Sequence, residues 1–502
     1  MRDDPFPPIV RLSPRGAEVR GAWDGRVRVF RGVPYARPPV GPLRWRPPAP
    51  LEPGRGTIDA TAFGPDPLQA ERNPGYLGTR ASGQSEDCLH LNVWTPAEAE
   101  ALPVMVWSPG GGFVGGSGSN VTYDGRRLAE RGVVVVTINY RVGALGWLCH
   151  PELAERSEHG VSGNYGLLDQ IAALRWVREH IAGFGGDPGN VTAFGHSAGA
   201  TSISYLLTSP LAAGLIDKAI LQSPGAMRGL MPHDEAAARG AALGRLEDLL
   251  TLSDAELIGL DRALAPGFRK VVGPRALGPV LDGWALPREE WDAYGQGLVR
   301  PVPLLIGAVA DEGEAIGREQ PFRTVETYLA YVRDCFGEED DAALAHYGAG
   351  AASGLGRAVS DLFGDTQFVF GVRALARAMA RIQPRSFLYW FDARRAGQAA
   401  SPTHGDELPY VFGTLDEPFD GQSAPYGPGD RALSDLMMTA WTSFARHGAP
   451  EVVGGAWPAT GGDDTALYLG TRAHAAAFPR AAPLDFLERV LGRGAAVRQA
   501  SG

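Results

Sequence analysis

Two kinds of apolar pattern alternate along the middle of the chain. Residues 166–181 have apolar side chains at helical spacing, which predicts an amphipathic helix. Short runs that are apolar throughout indicate strands buried on both faces, and they occur at 104–107, 133–139, 191–194, 218–222, 302–307 and 386–391. Because such strands alternate with helices in parallel sheets, the pattern predicts an α/β fold with a large, mostly parallel central sheet and helices on both faces.

The two sides of this central region have different patterns. Residues 1–60 alternate short apolar runs with Pro and Gly, which predicts an N-terminal β-meander over 9–12, 17–22 and 27–33. Residues 232–382 are mostly helical in pattern, and this range is the candidate for a helical subdomain packed on the sheet. Neither an internal repeat nor a long linker divides the sequence, so a single domain over residues 1–502 is expected.

Composition and charge exclude several classes of protein. The 502 residues are 44% hydrophobic and 21% charged, which is typical of a globular chain. The net charge of −10 and the lack of a basic cluster argue against nucleic-acid binding. The longest apolar runs are about eight residues, whereas a membrane span needs about 18. With Asp3 and Asp4 near the start and no apolar signal-peptide core, a cytoplasmic protein is expected.

The cysteines give no indication of a disulfide framework. Their number is small and odd, and the three are Cys88, Cys149 and Cys335. None of them lies in a spacing that is typical of metal ligands. We therefore expect thiols in a reducing compartment, with no metal site.

The first pattern with catalytic chemistry is Gly195-His196-Ser197-Ala198-Gly199. It follows an apolar strand and precedes a helix, which is the context of a nucleophile elbow, where a strained turn exposes the Ser hydroxyl. A chance match is conceivable in a chain with 67 glycines, but this context favours catalysis. Ser197 is therefore the candidate nucleophile.

A second pattern, Gly110-Gly111-Gly112-Phe113, follows the strand at 104–107. Consecutive glycines allow bare N–H groups to converge on a developing oxyanion, together with the N–H of Ala198 after the nucleophile. The alternative is a flexible loop in a Gly-rich protein, which the elbow downstream disfavours.

The order of residues along the chain restricts the general base and its acidic partner. In this type of elbow, the acid follows the Ser and the His comes last. His404 lies in a Gly-containing loop after the strand at 386–391, where a base would project. The acid would follow the strand at 302–307, where Asp311, Glu312 and Glu314 all remain candidates.

Longer motifs then resemble a known family over almost the whole chain. They are Phe30-Arg31-Gly32-Val33-Pro34-Tyr35-Ala36, Ser85-Glu86-Asp87-Cys88-Leu89, Asn164-Tyr165-Gly166-Leu167-Leu168-Asp169-Gln170 and Phe184-Gly185-Gly186-Asp187-Pro188. These motifs are similar to those of the type-B carboxylesterases, the carboxylesterase/cholinesterase family of the α/β-hydrolase fold. The resemblance implies a serine carboxylesterase that forms an acyl-enzyme intermediate.

The resemblance also selects site residues. Glu312 matches the Glu of the family's Asp-Glu-Gly motif, and His404 opens a His-Gly-x-Glu motif. The oxyanion donors match Gly111, Gly112 and Ala198. The implied partner is a small-molecule ester, with neither cofactor nor metal and with no nucleic acid or membrane, in a monomer or small homo-oligomer.

Departures from the family pattern bear on specificity. The family usually has Glu before the nucleophile, where this chain has His196. Cys88 lacks the upstream Cys with which the family forms its first disulfide. Cholinesterases carry a Trp in the loop before that Cys, and this chain has none between Trp45 and Trp94. His196 and Phe113 are candidate substrate-pocket residues. The expectation is that neutral, apolar esters are preferred over choline esters. A carbamate or amide hydrolase with the same triad is the alternative, and a non-catalytic adhesion-type relative is a remote one.

Overall fold

The structure, a computed structural model, describes residues 6–12, 16–52, 54, 56–70, 83–265, 271–318, 320, 322–348, 350–395, 398–417, 425–452, 456–461 and 463–500. Residues 316, 353 and 493–500 are described by their backbone alone. The strands are β1 Ile9–Arg11, β2 Glu18–Arg20, β3 Ala22–Asp24, β4 Val27–Pro34, β5 Thr57–Asp59, β6 Asp66–Pro67, β7 Gln84–Ser85, β8 His90–Pro96, β9 Leu102–Ser108, β10 Val134–Ile138, β11 Gly186–His196, β12 Lys218–Gln222, β13 Met231–Pro232, β14 Val280–Leu281, β15 Leu304–Val309, β16 Ser386–Phe391, β17 Thr465–Leu469 and β18 His474–Ala477.

Helices occur between most of these strands. They are α1 Arg126–Ala129, α2 Gly143–Trp147, α3 Pro151–Glu155, α4 Tyr165–His180, α5 Ala198–Leu206, α6 His233–Ala241, α7 Leu246–Leu249, α8 Asp254–Leu264, α9 Glu290–Gly295, α10 Glu314–Arg318, α11 Val325–Phe336, α12 Asp340–Tyr347, α13 Ala351–Gly364, α14 Phe370–Ala380, α15 Leu408–Phe412, α16 Pro428–His447 and α17 Ala481–Ala500. A π-helical segment, Asp365–Val369, joins α13 to α14.

The main sheet has eleven strands among the described residues, in the order β18-β17-β16-β15-β12-β11-β9-β10-β8-β4-β3. The strands from β17 to β10 in this order are parallel to their neighbours. Antiparallel pairs occur only towards the edges of this sheet, at β17–β18, β10–β8, β8–β4 and β4–β3. The predicted large, mostly parallel central sheet is confirmed.

Successive side chains of the central strands divide between two hydrophobic cores. Val104 and Val106 of β9 face one core, which includes residues of α4, α5 and α14. Met105 and Trp107 face the other core, which includes residues of α15 and α16. Because side chains alternate across a strand, a strand with helices on both faces must be apolar throughout.

The N-terminal strands differ from the expected single meander. β2 pairs with both β1 and β5 in a separate three-stranded sheet, whereas β3 and β4 extend the main sheet through β8. Pairing of β4 with β8 is a long-range contact, and short apolar runs do not show which distant strand they will join.

The candidate helical subdomain over 232–382 contains helices α6 to α14, and β15 of the main sheet lies within the same range. Its status as a subdomain stays a prediction. Within the part of the chain that the structure describes, no helix combines the length and apolar character needed to cross a membrane.

The parallel strands end at the same edge of the sheet, and this edge carries the candidate residues. β9 leads into the glycine loop, β11 into Ser197, β15 into Glu312, and β16 into the loop that holds His404. Ligands of open parallel sheets bind at this edge, beyond the carboxyl ends of the strands.

Candidate active site

The turn between β11 and α5 strains the backbone at Ser197. Its φ of 54° and ψ of −120° are unusual for an L-residue, and such conformations persist only where the surroundings enforce them. The Ser197 N–H donates to the carbonyl of Gln222 at the end of β12, at 2.9 Å. A Cβ at Gly199 would lie 2.0 Å from the carbonyl oxygen of Ser108, so this position accepts only glycine without movement of the backbone. The elbow predicted from the sequence is therefore present.

The glycine loop packs directly against the elbow. A Cβ at Gly110 would lie 3.0 Å from the Cβ of Ser197 and 2.8 Å from the carbonyl oxygen of His196. Gly111 has a φ of 133°, which favours glycine. Within the described residues, the N–H groups of Gly111, Gly112 and Ala198 donate no hydrogen bond. Three backbone donors beside the Ser are thus available to a ligand.

His404 and Glu312 form a buried pair. His404 Nδ1 lies 2.5 Å from Glu312 Oε2, and their side chains are only 7% and 0% exposed. The two loops are held together because the Asp311 N–H donates to the carbonyl of Pro402 at 2.9 Å. A carboxylate at Nδ1 fixes the imidazole so that Nε2 is the nitrogen available for proton transfer.

Of the three acids that follow β15, Glu312 alone is bonded to His404. Asp311 instead interacts with Arg357 and with Ser360 of α13. Glu314 forms an ion pair with Arg318, one turn further along α10. The geometry therefore agrees with the residue that the family motif selects.

Burial dominates the electrostatics of Glu312. It raises the pKa of this carboxyl above its usual value, whereas the N–H of Val309, which donates to Oε1 at 2.9 Å, lowers it. The buried Ser223 hydroxyl also lowers this pKa, although it makes no hydrogen bond of normal geometry. A buried carboxylate is stabilised by a cationic partner, so an imidazolium at His404 is favoured as it forms.

His404 is packed between two rings that the sequence did not connect with it. The ring of His196 lies 4.3 Å from that of His404, centroid to centroid, and the ring of Phe368 lies 4.2 Å away. Burial and the neighbouring His404 lower the pKa of His196 well below its usual value. His196 is thus neutral at neutral pH, and its Nε2 is buried without a hydrogen-bond partner in the described structure.

Glu407 is a second buried carboxyl near the pair. Its Oε1 accepts from Gln222 Nε2 at 3.1 Å, while Oε2 is buried without a partner in the described structure. Burial and, to a smaller extent, the nearby Glu312 raise the pKa of Glu407 to about 8. The His-Gly-x-Glu motif contains this residue, but sequence reasoning assigned it no role.

Phe113, the other candidate pocket residue, is 1% exposed. Its ring meets that of Trp147 edge to face at 5.2 Å, and the guanidinium of Arg275 lies 5.4 Å from its centroid. No sequence signal pointed to Arg275. Among the described residues, no group of three or more His, Cys, Asp or Glu side chains is arranged to hold a metal ion.

Comparison with solved structures and with other proteins places this chain in a known class. A thermophilic PNB esterase is 34% identical, with a TM-score of 0.84, over 95% of this chain and 99% of that one. A fumonisin B1 esterase of Sphingopyxis macrogoltabida is 46% identical over 452 residues, 89% of this chain and 83% of that protein. A para-nitrobenzyl esterase of Bacillus subtilis (strain 168) is 37% identical over 466 residues, 88% and 91% of the two chains.

The fold is therefore that of the α/β hydrolases, as predicted. The Carboxylesterase family matches residues 13–487, and the chain belongs to this family. It is a carboxylic ester hydrolase of the serine type.

Proposed function

We propose that this carboxylesterase acts through a triad of Ser197, His404 and Glu312. Ser197 attacks the acyl carbon while His404 Nε2 takes its proton, and His404 then protonates the leaving alcohol. Glu312 orients the imidazole and stabilises the imidazolium that forms. Water, activated by the same His404, hydrolyses the acyl-enzyme and regenerates Ser197.

In this proposal the N–H groups of Gly111, Gly112 and Ala198 stabilise the oxyanion. Each is without a hydrogen bond in the described structure, and the loop that carries two of them touches the elbow. Donors already positioned where negative charge develops stabilise the transition state more than the ground state. The mechanism requires neither a metal nor a cofactor.

The proposed specificity disfavours cationic alcohols. His196 occupies the position before the nucleophile, where an acidic residue would add negative potential, and burial supports its neutral form. Neutral esters are therefore preferred over choline esters. A cytoplasmic location and a monomer or small homo-oligomer stay predictions from the sequence.

The observation that carries the triad is the 2.5 Å contact of His404 Nδ1 with Glu312, beside the strained turn at Ser197. Replacing Ser197 with Ala removes the nucleophile, so kcat for p-nitrophenyl butyrate falls by about 10⁴–10⁶-fold. Ser157→Ala, on a surface turn, is the matched control and keeps full activity. A fluorophosphonate label maps to Ser197 in the active enzyme. An active Ser197→Ala variant, or a label on another serine, contradicts the proposal.

A further inference from the structure

Arg275 lies between two segments that flank the nucleophile. Its guanidinium stacks on Phe113, at the end of the glycine loop, and its Nη2 donates to the carbonyl of Gly225. Gly225 in turn donates its N–H to Thr201 Oγ1 at 2.8 Å, and that hydroxyl donates to the Ser197 carbonyl at 2.8 Å. A short series of contacts thus links the guanidinium to the first turn of the nucleophile helix α5.

No carboxylate in the described structure neutralises this guanidinium. Arg275 forms no ion pair there, and the bond to Gly225 is its one hydrogen bond. An arginine side chain carries five N–H donors, so most of its donor capacity is available to a ligand. The residue as a whole is only partly buried.

Glu290 is the acid whose pKa Arg275 influences. Burial raises the pKa of Glu290 to about 7, and Arg275 opposes this shift. The Ser204 hydroxyl donates to Glu290 Oε1 across a 2.5 Å contact, and the Met227 N–H donates to Oε2 at 2.6 Å. Because these contacts engage both oxygens, Glu290 forms no ion pair with Arg275 in the described structure.

The position of Arg275 is held by its neighbours. Arg228 donates to the carbonyl of Gly273 at 3.0 Å, two residues before Arg275, and also bonds to Gln367. A guanidinium held in place on a supported segment recognises a planar anion at less entropic cost than a flexible one.

We propose that Arg275 binds a free carboxylate on the acyl group of the substrate. The natural substrates are then half-esters of di- or polycarboxylic acids. The inference rests on the proposed catalytic role of Ser197 and adds to it the class of acyl group. A planar guanidinium and a carboxylate match in shape and can form two parallel hydrogen bonds.

The proposal assigns this carboxylate to the acyl side of the ester because Arg275 contacts the glycine loop. The acyl group stays on Ser197, beside the glycine loop, whereas the alcohol leaves towards His404, which protonates it. Arg275 contacts the glycine loop and the segment behind α5, and the rings packed on His404 are those of His196 and Phe368. The sequence predicted a preference for neutral, apolar esters, and this inference replaces the neutral acyl group with an anionic one. The predicted discrimination against cationic alcohols such as choline is unchanged.

The test compares substrates that differ only in charge. Mono-p-nitrophenyl adipate is compared with the matching ester of adipamic acid, with spontaneous hydrolysis subtracted. In the wild-type enzyme kcat/KM favours the carboxylate by about 10- to 100-fold, the range for a hydrogen-bonded charge. Arg275→Gln reduces this ratio to about threefold or less, and Arg275→Lys retains part of it. Arg175→Gln, at an exposed arginine of α4, keeps the wild-type ratio.

A second pair of substrates tests the acyl assignment. 4-Carboxyphenyl butyrate and 4-carbamoylphenyl butyrate also differ by a carboxylate against an amide, but on the alcohol part of the ester. We expect the enzyme to show no preference for the carboxylate in this pair. The inference is wrong if the wild type does not favour the adipate ester, if Arg275→Gln slows both adipate substrates equally, or if the preference appears in the alcohol pair.

Binding separates this inference from the catalytic proposal. The Ser197→Ala variant is titrated calorimetrically with mono-p-nitrophenyl adipate, with and without Arg275→Gln. Weaker binding by at least tenfold in the double variant supports the role of Arg275 whether or not Ser197 is the nucleophile. Equal binding overturns it. Turnover by Ser197→Ala at a rate close to that of the wild type contradicts the triad alone.

Discussion

At the scale of single residues, burial decides what each titratable group of the site can do. His404, Glu312 and His196 are each less than 9% exposed, so water contributes little to the stability of their charges. Glu312 and His404 stabilise opposite charges on each other, whereas His196 has no acidic partner and stays neutral. The site therefore contains two imidazoles in contact, of which one is suited to carry the proton.

The acid can be tested against its neighbours along the chain. Glu312→Gln removes the charge that orients His404, and kcat is expected to fall by about 10²–10⁴-fold, less than for loss of the nucleophile. Asp311→Asn and Glu314→Gln are the matched controls, because both side chains interact with arginines instead. Each should lose less than about tenfold in kcat. A larger loss for Asp311→Asn than for Glu312→Gln would show that the acid is misassigned.

The charge state of His196 is tested by its effect on cationic substrates. Because its pKa is lowered well below the usual value, discrimination against a cation should not change between about pH 5.5 and about pH 8.5. The measurement is the ratio of kcat/KM for butyrylthiocholine to that for its neutral analogue, 3,3-dimethylbutyl thiobutyrate. The neutral ester is expected to be the better substrate throughout. Discrimination that sharpens as the pH falls would indicate that His196 becomes protonated.

At the scale of elements, close contact between β9 and α5 makes the elbow possible. The carbonyl of Ser108, the last residue of β9, lies where a Cβ at Gly199 would be. The strained φ of Ser197 depends on this approach, because the strand end and the helix start together leave no room for relaxation. Positioning of the nucleophile is therefore a property of the strand–turn–helix unit.

Adding one methyl group at this contact tests that dependence. In Gly199→Ala the new Cβ would be 2.0 Å from the Ser108 oxygen, so β9 and α5 must move apart. We expect a loss of more than about 100-fold in kcat together with a lower melting temperature. Gly259→Ala in α8 is the control, since its Cβ meets nothing within 4 Å and alanine favours helix by about 1 kcal/mol. Full activity of Gly199→Ala would mean that the elbow tolerates movement.

At the scale of the whole molecule, buried carboxyls make the stability of the fold dependent on pH. The pKa of Glu290 is about 7 in the folded protein and near 4.5 when exposed, so between these values the folded state binds the additional proton. Stability from this group is complete below about pH 4.5 and is lost as the pH rises to about 7. The upper bound of the effect is about 3 kcal/mol.

Replacing the carboxyl with an amide isolates this contribution. In Glu290→Gln the amide keeps the shape of the carboxyl, and its oxygen can still accept from the Met227 N–H, as Glu290 does. The wild type loses stability as Glu290 ionises, whereas the amide does not titrate. The melting temperature of Glu290→Gln minus that of the wild type should therefore increase by several degrees between pH 5 and pH 8. Glu235→Gln, at an exposed glutamate paired with Arg239, should show a difference that does not vary with pH. A constant difference for Glu290→Gln as well would mean that Glu290 is ionised in the folded state.

The class of fold and the nucleophile elbow can both be predicted from the amino-acid sequence alone. Strands covered on both faces must be apolar throughout, so β9, β10, β11, β12, β15 and β16 are visible in the sequence. The elbow is visible because its steric demands fall on residues within two positions of Ser197. Both features depend on residues that are close together along the chain, so both can be recognised in the sequence.

The contacts between segments that are distant along the chain become visible only in the folded structure. Asp311, Glu312 and Glu314 follow β15 closely, and the turn alone directs Glu312 to His404, 92 residues away. Neither the contact of the His196 ring with that of His404 nor the position of Arg275 beside Phe113 leaves a periodic signal. The physical reason is that burial, pKa and charge pairing depend on which segments the fold brings together, and not on spacing along the chain.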